Sequence, residues 1–151
     1  MQRQSTDASG AYSTLLIIWF ALLVSQLLFL VLVYFIRPGL LSLDLSRPLL
    51  NESAVAIIVI AGLAVTDLIL SFVMRRRYLD QAIGERNVGM VATALIVGCA
   101  LSESVSLFGL LLAFAFNYPY FWLLSALGIV GTVLHFPQKA NVEAASFRPQ
   151  M

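Results

Sequence analysis

Three side chains stand out because most of their neighbours could do no chemistry at all. They are Glu103, Asp67 and Gln26, each set within a long apolar run. Glu103 lies in VGCALSESVSLFGLLLAF, near the middle of the stretch from Val88 to Phe116. An ionisable group at that depth in a bilayer costs ~3 kcal/mol on insertion scales, so it is rarely there without a role. Dry surroundings disfavour the charged form, and a carboxyl held this way can load and release a proton or coordinate Na⁺. Asp67 precedes Arg75 by eight positions, about 12 Å along a helix axis. Its short side chain cannot snorkel to the headgroups as Lys or Arg would. Ser104, Ser102 and Thr66 adjoin the acids, and Gln26 should face inward and hydrogen bond to another helix. The candidate ion-binding set is therefore Glu103, Asp67, Ser104 and Gln26. The alternative is a neutral, structural Glu103 hydrogen bonded to Gln26 or to a backbone carbonyl. Counted inward along their helices, the two acids differ in level by about 10 Å, a gap that tilt or a cytoplasmic extension of the third helix would close.

The elements that position these residues follow from composition. Of 151 residues, 60% are hydrophobic and 11% charged, and the mean hydropathy is +0.92, well outside the range of soluble domains. Four apolar runs, each long enough to cross a hydrocarbon core of ~30 Å, imply helices because only helices satisfy their own backbone in lipid when no β-type alternation is present. The expectation is an all-α integral membrane protein of four antiparallel transmembrane helices, at about 14–36, 53–74, 88–116 and 119–136. A polar N-terminal tail (1–13) and a polar C-terminal tail (137–151) flank them. Arg3, Arg75, Arg76, Arg77, Arg86, Lys139 and Arg148 fall on one side of this arrangement, and only Arg37 and Arg47 on the other. The positive-inside rule then makes both termini cytoplasmic, in a bacterial-type inner membrane. The first run is too long for a signal-peptide core and reads as an uncleaved anchor.

Along the chain, Ser13 or Thr14 could cap the first helix, and Arg37-Pro38-Gly39 ends it. The linker LLSLDLSRPLLNE alternates leucine with polar residues, as an interfacial segment would. RRRYLDQAIGERN reads as a cytoplasmic loop whose arginines anchor topology and touch anionic lipid. In the third helix Ala94, Gly98, Ser102 and Ser106 recur every four residues and Gly109 continues them, a small-residue ridge that lets another helix approach closely. Asn117-Tyr118-Pro119 is too short a turn for the third and fourth helices to be anything but antiparallel neighbours. Tyr118, Tyr120, Phe121 and Trp122 suit an aromatic belt, and His135 suits a wet polar cap at the inner surface.

No Cys/His cluster has zinc spacing, no glycine-rich phosphate loop is present, and a single histidine without an accessible nucleophile makes no hydrolase. The expectation is a protein that is not an enzyme, with no cofactor or metal beyond H⁺ or Na⁺. The net charge of +1 points to no nucleic-acid partner; the lipid bilayer and other membrane subunits, or further copies of the chain, are the expected ones. The run IVGCALSESVSLFGLLLAF resembles the carboxylate-bearing helix of the rotary ATPase proteolipid, subunit c, at Ala100, Glu103, Ser104, Phe108, Gly109 and Leu110. That resemblance implies that Glu103 is the ion-binding carboxylate and Ser104 a side chain beside it, in a hairpin turning on the cytoplasmic side. The functional expectation is a proteolipid-like subunit handling protons or cations. The alternative is a non-catalytic accessory or assembly subunit of a larger membrane complex.

Overall fold

The computed structural model describes residues 2–41, 48–49 and 53–146. Among them are five α-helices: α1 (Gln2–Ile36), α2 (Ala54–Gly84), α3 (Val88–Phe116), α4 (Phe121–Leu134) and α5 (Lys139–Ser146), with a short 3-10 turn at Pro38–Leu41. Three of them, α1, α2 and α3, are long and apolar enough to cross a membrane, and α4 with α5 forms a pair bent by 46°. Most of the interfacial linker lies outside the described residues, as do the last five positions.

The ends of α3 are written in asparagines. The Asn87 side chain accepts from the Gly89 N–H at 3.0 Å, satisfying one of the donors a helix start leaves open. Asn117 takes the left-handed conformation, φ 47°, that closes a helix C-terminus. Expected and observed bounds of this helix coincide.

Elsewhere helices extend where loops or tails are expected. α1 runs back to Gln2, and Ser13 and Thr14 cap nothing: their hydroxyls bond to the carbonyls of Ser9 and Gly10, one turn back in the same helix. α2 continues ten residues past Met74, through RRRYLDQAIG. Those residues are mostly good helix formers with no breaker before Gly84, and buried Ala82 gives the extension a packed face. The turn to α3 is a Schellman closure, Arg86 N–H to Ile83 O and Asn87 N–H to Ala82 O, with Arg86 in the left-handed region at φ 53°. The expected loose C-terminal tail contains α5, which buries Val142 and Ala145.

α3 is the central element, packed against α1, α2, α4 and α5. Two apolar cores sit at opposite ends of the bundle. One gathers Val33, Ile57, Ile60, Leu112, Tyr118, Tyr120 and Phe121 around the α3–α4 turn. The aromatic residues expected as an interfacial belt are thus drawn inward here, with Phe121 at 0% exposure; only Trp122 stays partly open. The other core holds Leu15, Ala82, Val91, Leu95, Cys99, Val142 and Ala145. The fully or almost fully buried polar side chains, Gln26, Ser71, Ser102, Ser106, Ser125, Thr132 and His135, belong to neither core.

Candidate functional site

The α3 ridge meets a second ridge on α4. A Cβ on Gly109 would lie 2.8 Å from Phe121 O, one on Gly131 would lie 2.9 Å from Ser102 Oγ, and one on Gly128 would run into Ser106 Oγ and stand 2.6 Å from Ser102 O. Backbone therefore faces backbone along this seam, and only glycine permits it at Gly128. Ala94, Gly98, Ser102, Ser106 and Gly109 are all buried. Gly98 lies at the other end of the seam, where an added Cβ would meet the His135 ring at 3.2 Å and Arg75 Cβ at 3.4 Å.

With α4 this close, Gln26 bridges three helices. Its carbonyl accepts from Ser106 Oγ at 2.8 Å on α3, and its amide donates to Thr132 Oγ1 at 2.6 Å on α4. Trp19 Nε1 donates to the Thr132 carbonyl at 2.7 Å. Gln26 is fully buried with both ends of its amide engaged, and its partners are two hydroxyls and, at 3.5 Å, the Leu22 carbonyl rather than Glu103 or Asp67.

Glu103 points from α3 to α1, where Oε1 lies 2.5 Å from Ser25 Oγ. Ser104, the next residue and so about 100° around the helix, turns to α2, where its Oγ lies 2.7 Å from Asp67 Oδ2. The ten-residue extension of α2 past Met74, rather than tilt or an extension of α3, brings Asp67 and Ser104 to one level. Each acid then has its own serine on its own flank of α3. Both acids are partly buried. Between the two flanks α3 leaves a stripe open: Ile96 and Leu107 are 44% exposed and Leu111 46%.

His135 is not a wet cap. It is fully buried, with Nε2 3.0 Å from Ser71 Oγ and Nδ1 3.2 Å from Arg75 Nη1. The guanidinium can only donate, so Nδ1 accepts, the ring is neutral, and the proton sits on Nε2 and is given to Ser71. Arg75 also donates to the carbonyls of Leu134 at 3.1 Å and Phe136 at 2.9 Å, capping the C-terminus of α4. It anchors a helix end. The signal available in the sequence was positional, a lone histidine just past a glycine-lined helix together with the first arginine after an apolar run.

Ser25, Ser71 and Ser104 share one geometry. Each hydroxyl lies within bonding distance of the carbonyl three residues earlier, at Leu22 (2.8 Å), Leu68 (2.6 Å) and Leu101 (2.7 Å). Each also touches one titratable side chain, Glu103, His135 and Asp67 respectively. A hydroxyl has one proton to give. At Ser71 the other partner is a donor, so the hydroxyl proton goes to Leu68 O.

Among the described residues no three His, Cys, Asp or Glu side chains group as a metal site, and no buried side-chain nitrogen or oxygen lacks a partner. No family of known proteins, no curated protein and no solved structure matches this chain.

Proposed function

We propose that the chain is a proteolipid-like membrane subunit that binds and releases a proton at Glu103, in a four-span arrangement with both termini on the cytoplasmic side. The observation that carries this reading is the position of Ser25 Oγ, 2.5 Å from Glu103 Oε1 and 2.8 Å from Leu22 O. If Glu103 were ionised, the single Ser25 proton would have to be shared between two acceptors. A protonated Glu103 donates to Ser25, which donates in turn to Leu22 O, the sense already set at Ser71. Removing the proton leaves a carboxylate beside one hydroxyl in surroundings too dry to hold it cheaply, so the site exchanges when water or a partner group reaches it.

The same geometry favours H⁺ over Na⁺. The Glu103 carboxyl, the Ser25 hydroxyl and the Leu22 carbonyl supply fewer oxygens than the about six or more that hard cations collect. Topology rests on the arginines around the α2–α3 turn and on Lys139, which share one end of the bundle with the start of α1. The aromatic-Gly-Leu after the acid, Phe108-Gly109-Leu110, supports the proteolipid likeness.

The test is modification by a hydrophobic carbodiimide in native membranes, mapped by peptide mass. Glu103 should be modified at neutral pH, protected at high pH and unaffected by Na⁺, and Glu103→Gln should abolish modification at that position. Absence of modification under every condition would sink the proposal and leave the accessory-subunit reading, in which Glu103 only ties α3 to α1.

A further inference from the structure

The second acid repeats the arrangement of the first on the other flank of α3. Ser104 Oγ lies 2.7 Å from Asp67 Oδ2 and 2.7 Å from Leu101 O. The carbonyl has no proton to give and the hydroxyl has one, so a protonated Asp67 gives each contact its own hydrogen, whereas a carboxylate leaves one hydroxyl proton shared between two acceptors. His135 on Ser71 provides an internal precedent, because there the donor is fixed by Arg75 and the serine still turns its proton to the carbonyl three residues back.

We infer that Asp67 and Ser104 form a second proton-binding station, independent of Glu103 and Ser25, so that each chain carries two separately exchangeable protons instead of one shared between its two acids. The inference rests on the reading of Glu103 only for the claim of two stations; the Asp67 station stands on its own contacts. Independence follows from the divergence of Glu103 and Ser104 around α3, which sends one acid to α1 and the other to α2. The charged and titratable groups facing Asp67 are few. On α3, Glu103 turns to α1 and Cys99 lies in the core with Leu15 and Val142; α4 carries no charged residue between Phe121 and Leu134; Lys139 and Glu143 lie on α5 at the end of the bundle; and Arg75 lies eight residues along α2, about 12 Å away. No cation is placed to hold Asp67 as a carboxylate, and among the described residues no ion pair involves it. The ligand is a proton taken from and returned to water, with no other bond made or broken.

Infrared spectroscopy of the full chain in lipid vesicles at neutral pH reads protonated carboxyls directly, since carboxyls in water are ionised there. The expected result is two carbonyl-stretch bands, each shifting on transfer to D₂O. Asp67→Asn should remove one band and leave the other in place, and Glu103→Gln should do the converse. Ser104→Ala, which keeps both acids, should shift only the Asp67 band because its hydroxyl acceptor is gone. If Asp67→Asn removes no band, Asp67 is a carboxylate and the inference fails; if either acid variant moves the other acid's band, the proton is shared and the inference also fails. A single band in the unaltered chain, removed by Asp67→Asn and left in place by Glu103→Gln, would overturn the function proposed above and leave the Asp67 station standing. Circular dichroism confirms that each variant is folded, and Ser104→Ala decides the matter should Asp67→Asn not be.

Discussion

Replacing Gly128 by alanine tests whether the α3–α4 seam holds the molecule together. The added methyl carbon would overlap Ser106 Oγ and stand 2.6 Å from Ser102 O and 2.9 Å from Ser106 N. Two of these three neighbours are backbone and cannot rotate away, so the helices must separate. Overpacking of this kind costs about 1–3 kcal/mol. Separation also lengthens the Ser106–Gln26 and Gln26–Thr132 hydrogen bonds, each worth about 0.6–2 kcal/mol between membrane helices. The expected loss is about 2–7 kcal/mol, whose upper end matches the whole stability of a small domain. Gly62→Ala is the control, because a Cβ there meets nothing within 4 Å and alanine is the better helix former by about 1 kcal/mol. Reversible unfolding in mixed micelles, followed by helicity, measures both. A Gly128→Ala protein as stable as Gly62→Ala would refute the claim that backbone contact along this seam organises the fold.

Gln26→Leu should cost about 1–3 kcal/mol in the same assay, because it removes two interhelical hydrogen bonds while filling similar volume. Arg75→Ala should free α5 by uncapping α4, and the sign of this is the reactivity of Cys99, fully buried beside Leu15 and Val142: maleimide should modify it at least tenfold faster than in the unaltered protein. Arg86→Gly should raise stability by about 1 kcal/mol, since a non-glycine residue at φ 53° is strained by roughly that amount; no gain in the unfolding midpoint would count against the strained turn.

The parts of this fold that could be read from the sequence are those governed by local rules. α3 is bounded by asparagines with two separate capping geometries, and its small residues recur at helical spacing, so both its limits and its packed face could be inferred. The α2 extension escapes because a run of arginines after an apolar stretch suggests both a membrane boundary and a helix end, and the helix does not end there. A helix stops for backbone reasons, and none arises before Gly84. α5 escaped for a related reason: Val142 and Ala145 form an apolar stripe too narrow to notice until the hairpin extension exists for it to cover. In the site, depth alone singled out Glu103 and Asp67. Their serine partners required knowing which way consecutive residues turn around α3, and His135 required knowing that Arg75 folds back onto α4.

The core around Leu15, Ala82, Val91, Leu95 and Val142 sits among Arg76, Arg77, Asp80, Glu85, Arg86 and Glu143, all exposed at that end of the bundle. It is assembled where water competes for apolar surface, and the full hydrophobic effect drives it. In the four-span arrangement proposed above, the opposite core and the polar layer between them would have hydrocarbon for a competitor, which rewards fit and hydrogen bonding but hardly rewards greasiness as such. On that proposal one short chain folds against two solvents at once. Urea should loosen the charged end, with α5 leaving first, while the seam of glycines and serines stays closed.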